Sequence, residues 1–348
     1  MDVKTLAGLE RYRDGWPGDV ILAAPEVDIP VGDGERWFSP DDLGIGVASA
    51  ATLLDAVRQT QPDLVLASLT PRIHELESFL ARSVVVAEFT PEDLASHELA
   101  AAPSAIAKAR VRVGAIRRAR AMEQIVRRAR ALQCNGYPAF ERLGPYASSS
   151  LLFFDTRLTA EHVEAARRTP RAAPSRPAHL CFSGRLIHAK GPEFAVQLAA
   201  DLADDVELTI LGSGELADDL KRVAGPNVRF GGHLDFDTEW TRWVTKEIDL
   251  MVLPHVQGDP SGTYLEAAGC GVPLLGFGNV ALQALVGRHG LGWTAPVRDQ
   301  VGLNSAARKA LGDPVAWAAA RAQGLEFMAE HHVDAEYARR VDHLISLI

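Results

Sequence analysis

The segment Ser183-Gly184-Arg185-Leu186-Ile187-His188-Ala189-Lys190-Gly191 sets two permanent cations in a glycine-flanked loop after an apolar run. Glycines let a backbone approach a ligand closely, and Gly191-Pro192 opens a predicted helix whose N-terminus favours anions. Arg185 and Lys190 beside such a helix start suit a diphosphate. The plain alternative is a pair of solvated surface cations. Gly212-Ser213-Gly214-Glu215 is a second glycine turn, explained equally by ligand approach or by tight strand-to-helix packing. A third segment, Asp259-Pro260-Ser261-Gly262-Thr263, reads as a loop turning into a helix, with backbone N–H groups and two hydroxyls available to oxyanions or sugar hydroxyls. Glu266 follows about one turn later, placed to accept hydrogen bonds from a ribose diol. Its setting, LEAAGCGVP, is apolar, so an unpaired carboxylate there would be costly and a ligand partner is expected.

Strands must aim these loops. In the second half, HLCFSG (179–184), VELTILG (206–212), VRFGG (228–232), IDLMVLP (248–254) and VPLLGF (272–277) are short apolar runs. They alternate with helical stretches at Pro192–Ala203, Glu215–Ala224, Thr238–Lys246, Thr263–Cys270 and Val280–Arg288. That alternation predicts a parallel sheet covered on both faces, with ligands outside the carboxyl ends of its strands. The first half repeats the pattern more weakly, with strands predicted in GDVILAAP (18–25), PDLVLASL (62–69), RSVVVAEF (82–89), RALQCNG (130–136) and SSSLLFFD (148–155). The proline-rich RRTPRAAPSRP (167–177) reads as a linker. The expected organisation is therefore a first domain over 1–167, a linker over 168–177, a second domain over 178–313 and terminal helices over 314–348 that can pack back on the first domain.

Composition narrows the function. The chain has 348 residues, 47% hydrophobic and 23% charged, with a formal net charge of −9. That balance argues against a dedicated nucleic-acid binder. No apolar run reaches the roughly 18 residues of a membrane span, and Met1–Glu10 shows no secretory pattern. Cys134, Cys181 and Cys270 are isolated, which argues against a disulfide scaffold or zinc site and makes a reducing cytoplasm the expected compartment. One stretch departs from the acidic average: Ala107–Arg130 is a predicted long helix crowded with arginine. It reads either as a solvated face or as a basic surface for an anionic acceptor, a carrier protein or membrane headgroups.

Taken in order, GRL…KG, LTILGSGE, VRFGGHLD, IDLMVLPH…DPSGTYLEAAGCGVPLL and GLGWTAPVRD resemble the C-terminal domain of the retaining, GT-B-fold glycosyltransferases of family 4 over Ala178–Asp313. The resemblance implies an α/β, GT-B architecture of two Rossmann-like doubly wound domains facing each other across a cleft. It implies that Arg185 and Lys190 hold the diphosphate of a nucleoside-diphosphate sugar, a UDP-sugar being the commonest donor. Glu266 matches the second glutamate of the family's E-x7-E motif and would bind the ribose. Gly184, Gly212 and Gly214 would line the donor, and Ser261-Gly262-Thr263 would offer amides to phosphates and sugar. The donor is a co-substrate, and neither a cofactor nor a metal is implied.

The sequence also departs from that pattern. Gly258 stands where the family has its first glutamate, with Asp259 adjacent as a replacement. The first half matches only in strand order, with Glu88-Phe89 where many relatives carry histidine. Glu88, Asn135 and Asp155, each just after a predicted strand, are candidate contacts for the acceptor, expected to be a small molecule, a glycan or a carrier-linked group. Asn135-Gly136 is equally an ordinary turn, and Asp155-Thr156-Arg157 equally a salt-bridged one. Asp235-Phe236-Asp237 spells the DxD metal motif of another transferase fold but sits where a helix cap belongs. His331 and His332 read as surface residues, since neighbours do not share a helix face. A nucleotide-sugar epimerase of the same fold and a non-catalytic nucleotide-sugar-binding protein remain alternatives to a transferase.

Overall fold

A computed structural model describes residues 3–25, 43–101, 104–171, 173–258 and 260–348. The chain divides into two compact units, Met1–Phe153 with Asp334–Ile348, and Phe154–Val333.

The first unit carries two parallel sheets. β1 (Ile21–Pro25) pairs with β2 (Gly46–Ala50). β3 (Val65–Ser68), β4 (Ser83–Ala87), β5 (Ala131–Asn135) and β6 (Ser150–Phe153) pair in sequence order. β4 and β5 are buried along their whole length, as central strands covered on both faces must be. The helix Val333–Ile345 is sewn to this unit by polar side chains. Arg340 Nε donates to Gln133 Oε1 at 2.9 Å, Gln133 Nε2 returns a bond to the Arg340 carbonyl at 3.0 Å, and the guanidinium lies 4.0 Å over Phe153.

The second unit is built on one six-stranded parallel sheet: β7 (Ala178–Ser183), β8 (Val206–Leu211), β9 (Val228–Gly232), β10 (Leu250–Leu253), β11 (Leu274–Phe277) and β12 (Gly292–Ala295). Their order across the sheet is β12-β11-β10-β7-β8-β9. The chain runs outward from β7 on one side, then returns to β10 on the other, so the switch point lies between β7 and β10. Leu180, Phe182, Leu208, Ile210, Leu250, Val252, Leu275 and Phe277 form the fully buried sheet core. Helices Pro192–Leu202 and Gln300–Gly312 press Leu198, Leu202, Leu303 and Ala307 onto it.

Every strand predicted from the sequence is present, whereas β2 and β12 were not anticipated. The predicted helix Thr238–Lys246 begins instead with a wide turn, Phe236–Trp240, before the helix Thr241–Glu247. The terminal helical stretch breaks at 331–332 into Pro314–Glu330 and Val333–Ile345. His331 sits in that break and is half-buried, not a surface residue. Its ring packs 4.8 Å from Phe154 and 4.3 Å from Phe327.

The proline-rich stretch expected to link two domains lies inside the second unit. Arg321 Nη2 donates to the carbonyls of Ala166 and Thr169, both at 2.8 Å, tying down the end of helix Ala160–Arg168. Beyond it, the wholly buried Asp249 holds the segment in place. Its carboxylate accepts from Arg171, from the Ser175 hydroxyl, from Ser175 N at 3.2 Å and from His179 N at 2.8 Å. The Asp249 carbonyl accepts from Trp317 Nε1 at 2.8 Å. Prolines remove helical hydrogen bonds, but side-chain partners fix this stretch all the same. Replacing Asp249 with Ala strands the mostly buried Arg171, and breaking a buried pair costs about 3–5 kcal/mol. Urea unfolding should register a loss of that order, and proteases should then cleave within 173–177, a stretch expected to resist them in the parent protein.

Candidate functional site

The switch point brings together the loops after β7 and β10, with the loop after β8 beside them. Gly191 (φ +64°) closes the β7 loop against β10: a Cβ there would meet the Pro254 carbonyl oxygen at 2.3 Å. Val256 N also donates to the Ala189 carbonyl at 3.1 Å. Gly212 (φ +124°) is as confined, since its Cβ would meet the Gly184 carbonyl oxygen at 1.9 Å. Leu186 N donates to Ser213 O at 2.8 Å and Leu216 N to Leu186 O at 3.0 Å. The turn through Gly212 and Gly214 thus packs backbone to backbone against the β7 loop, which glycine's missing Cβ permits.

Arg185 stands exposed on this loop and makes no ion pair with any described residue. Lys190, five residues on, is buried at 8% exposure. The helix that follows carries Glu193 in its first turn, 3.0 Å from His188 Nδ1. Across the switch point, helix Gly262–Gly269 starts at Ser261, whose hydroxyl does not cap it, and Tyr264 N bonds to the Ser261 carbonyl at 3.0 Å. Ser261, Gly262 and Thr263 are half-buried. Asp259 lies outside the described residues.

Glu266 is held from within the chain. Its side chain is 6% exposed, and Arg157 grips it with both ends of the guanidinium fork. Nε donates to Oε1 at 2.8 Å and Nη2 to Oε2 at 3.1 Å. The expectation that a buried carboxylate here needs a ligand is thus corrected, because Arg157 neutralises it. Arg157 in turn lies 3.8 Å over the Phe236 ring, which stacks on Trp240 at 5.4 Å and 22°. Trp240 Nε1 donates to Ser183 Oγ at 3.0 Å, at the end of β7. Burial opposes the Arg157 charge, but the hydrogen bonds to Glu266 and the charges of Glu266, Asp237 and Asp155 raise its pKa overall. Asp155 belongs to this cluster, with its carbonyl oxygen 3.5 Å from where a Gly262 Cβ would stand. The salt-bridged reading of Asp155-Thr156-Arg157 applies to Arg157. Asp235 caps the wide turn, accepting from Thr238 N at 2.9 Å, as expected of it.

Sequence reasoning missed a second buried network. His255, the second residue after β10, is hydrogen-bonded at Nδ1 to the Tyr264 hydroxyl at 3.0 Å, and that hydroxyl accepts from Asn279 Nδ2 at 3.0 Å. Asn279 Nδ2 also reaches the His255 carbonyl at 3.0 Å. The other ring nitrogen, Nε2, has no hydrogen-bond partner among the described residues. Burial first, and the Lys190 charge second, hold this imidazole well below its ordinary pKa. The rule that ligands gather after the strands at a switch point would have drawn attention to His255. In the first unit, Asn135 Nδ2 donates to Glu88 Oε2 at 2.7 Å, so these two candidates pair at the carboxyl ends of β5 and β4.

Residues 177–313 match the family described as Glycosyl transferases group 1. A 2-deoxystreptamine glucosyltransferase of Streptomyces kanamyceticus is 28% identical over 161 residues, 43% of this chain and 42% of that protein. The glycogen synthase of Mycobacterium tuberculosis is 36% identical over 162 residues, 43% of this chain and 37% of that one. The chain thus matches about two-fifths of the length of these curated relatives. HepE of Anabaena, solved with UDP and glucose, superposes with a TM-score of 0.66 at 15% identity, covering 99% of this chain and 95% of that one. WaaG, a glycosyltransferase involved in lipopolysaccharide biosynthesis, gives 0.61 at 14% identity, covering 98% and 94%. The fold is GT-B.

Arg157→Ala should leave Glu266 a buried unpaired carboxylate and cost about 1–3 kcal/mol in urea unfolding. Adding Glu266→Gln should recover part of that loss, whereas simple additivity of the two changes would mean the pair is not coupled. A second measurement concerns His255, which stays neutral when folded but takes a proton below about pH 6.5 when unfolded. Its contribution is therefore complete above that pH and lost as pH falls, by about 1.4 kcal/mol per pH unit for one proton. His179 and His289, depressed chiefly by burial, act in the same direction. Stability measured from pH 7.5 to 5.5 should fall, and His255→Asn should flatten the slope.

Proposed function

We propose that the protein is a metal-independent, retaining glycosyltransferase that moves a sugar from a nucleoside-diphosphate sugar, with UDP-sugars favoured, to an acceptor selected by the first unit. The observation that carries this reading is the single switch point of the six-stranded sheet. Two cations, the start of helix Gly262–Gly269 and the Arg157-held carboxylate of Glu266 lie on elements that meet there. The match of 177–313 to the group 1 family supports transfer chemistry, and HepE's UDP and glucose support a uridine donor.

In this reading Arg185 and Lys190 take the diphosphate, and the amides of Gly262 and Thr263, with the Ser261 hydroxyl, face phosphate or sugar oxygens. Gly184, Gly212 and Gly214 shape the rim, with Asp259 as a donor-sugar contact. Glu266 accepts from the ribose diol through lone pairs that Arg157 leaves open, and Arg157 fixes the carboxylate plane. As the bond from the anomeric carbon to phosphate oxygen breaks, negative charge grows on the departing diphosphate, which the two cations stabilise without a divalent ion. The acceptor oxygen attacks from the face the diphosphate leaves and passes its proton to a phosphate oxygen, which retains the anomeric configuration. The Glu88–Asn135 pair is an acceptor contact, and a reducing cytoplasm suits three buried, unpaired thiols.

A thermal-shift panel of UDP-, GDP-, ADP- and dTDP-sugars tests the donor. A UDP-sugar at 100 times its dissociation constant should add about 2.7 kcal/mol, and a panel that moves nothing overturns the reading. Under saturating donor, Arg185→Ala and Lys190→Ala should each lower kcat by about 10²–10³, the cost of losing one group that stabilises transition-state charge. Arg185→Lys should also be slow, because a point charge cannot reproduce the fork. Donor consumed without acceptor would favour an epimerase, and binding without turnover a non-catalytic protein.

A further inference from the structure

Helix Ala105–Arg128 packs one side on helix Pro91–Ala101 and leaves the other side open. Ser104 caps its start, with Ala107 N bonded to Ser104 Oγ at 3.2 Å, and Met122 and Val126 are its buried residues. Before Met122 the helix has no fully buried residue, and its inner side, with Ala107, Val111, Ala115 and Ala119, is half-buried. Along that portion Ile106, Arg110, Val113, Arg117 and Arg120 recur at spacings of 4, 3, 4 and 3, so they share one helix face. That face is outward: Ile106 is 69% exposed and Val113 55%, with Ile116 alongside at 57%. Arg110, Arg117 and Arg120 are exposed among them.

The charge is one-sided. From Ala105 to Met122 the sequence has no Asp or Glu, and the first acidic residue, Glu123, is already bound by Arg142 at 2.8 Å. A purely cationic face is unusual on a chain whose net charge is −9. Arginines alone would suit any polyanion. Isoleucine and valine between them do not, because they stay wet against a phosphate backbone but lose water when they sink into an acyl boundary. No helix of the described residues is long and apolar enough to cross a membrane.

We propose that this helix face docks the first unit on an anionic lipid bilayer. The helix lies along the surface, with Ile106, Val113 and Ile116 in the headgroup–acyl boundary and the arginines among lipid phosphates. The docking rests on the first unit alone and is independent of the donor chemistry assigned to the second.

Co-sedimentation with vesicles tests it. The protein should bind phosphatidylcholine vesicles containing 30% phosphatidylglycerol, but not phosphatidylcholine alone, and should be released by 0.5 M NaCl as the charges are screened. The triple variant Arg110→Gln, Arg117→Gln and Arg120→Gln should lower the partition coefficient on the order of 100-fold. Ile106→Ser, Val113→Ser and Ile116→Ser together should weaken binding with the charge unchanged. All six positions are on the exposed face, and melting curves should match the parent. An environment-sensitive dye attached through Val113→Cys should brighten on anionic vesicles, the three native thiols being buried. Failure to bind anionic vesicles, full binding by the serine variant, or tight DNA binding that the serine variant retains would each overturn the proposal.

Discussion

The Arg157–Glu266 pair is the constraint on which the second unit's site depends. A carboxylate at 6% exposure, on a helix whose other inner residues are apolar, is tolerated only with its charge matched and its lone pairs engaged. Arg157 meets both needs with a two-pronged contact that a lysine could not make. Because the fork is planar, it also sets the rotation of the carboxylate and so the direction of the lone pairs left over. The arginine is oriented in its turn by the Phe236 face, and Phe236 by Trp240, whose indole is tied to Ser183 at the end of β7. A chain of contacts thus runs from one side of the switch point to the other through side chains far apart in sequence.

The loops around that pair are positioned by backbone. The β7, β8 and β10 loops are held by amide-to-carbonyl bonds and by glycines whose Cβ would strike a neighbouring carbonyl. Exposed arginine and buried lysine consequently project from a rigid base. A pre-organised base matters for charge developing in a transition state, because flexible cations would have to reorganise when the bond breaks.

How much of this was legible in the sequence follows from how local each signal is. Strands buried on both faces leave continuous apolar runs, and VVVA, LTIL and LMVL announced themselves. β2 did not, because GVASA is small-residue and half-exposed, and β12 did not, because GWTA is four residues long with a glycine. Glu266, Arg185 and Lys190 stood out as candidates because each follows a recognisable strand. The partner of Glu266 did not, since pairing reaches across the chain: Arg157 lies 109 positions before it. The same reason explains the misplaced linker. Prolines in 167–177 erase periodicity locally, while what orders the stretch, Asp249, lies 74 to 78 positions after the residues it binds there.

The buried polar groups also differ in what they leave open. Asp249 has partners on both carboxylate oxygens and its carbonyl, and Gln133 with Arg340 closes a reciprocal pair. Such groups fix one arrangement of the chain and offer nothing further to bind. His255 is different, for its Nδ1 is engaged by Tyr264 while Nε2 has no hydrogen-bond partner among the described residues. Burial first and the Lys190 charge second keep this imidazole neutral near neutral pH, so it enters hydrogen bonds without carrying charge. Within electrostatic reach of Lys190, such a group adds direction without adding charge. Charge is admitted to the interior where a partner matches it, as Arg157 does for Glu266, and burial without one leaves His255 neutral.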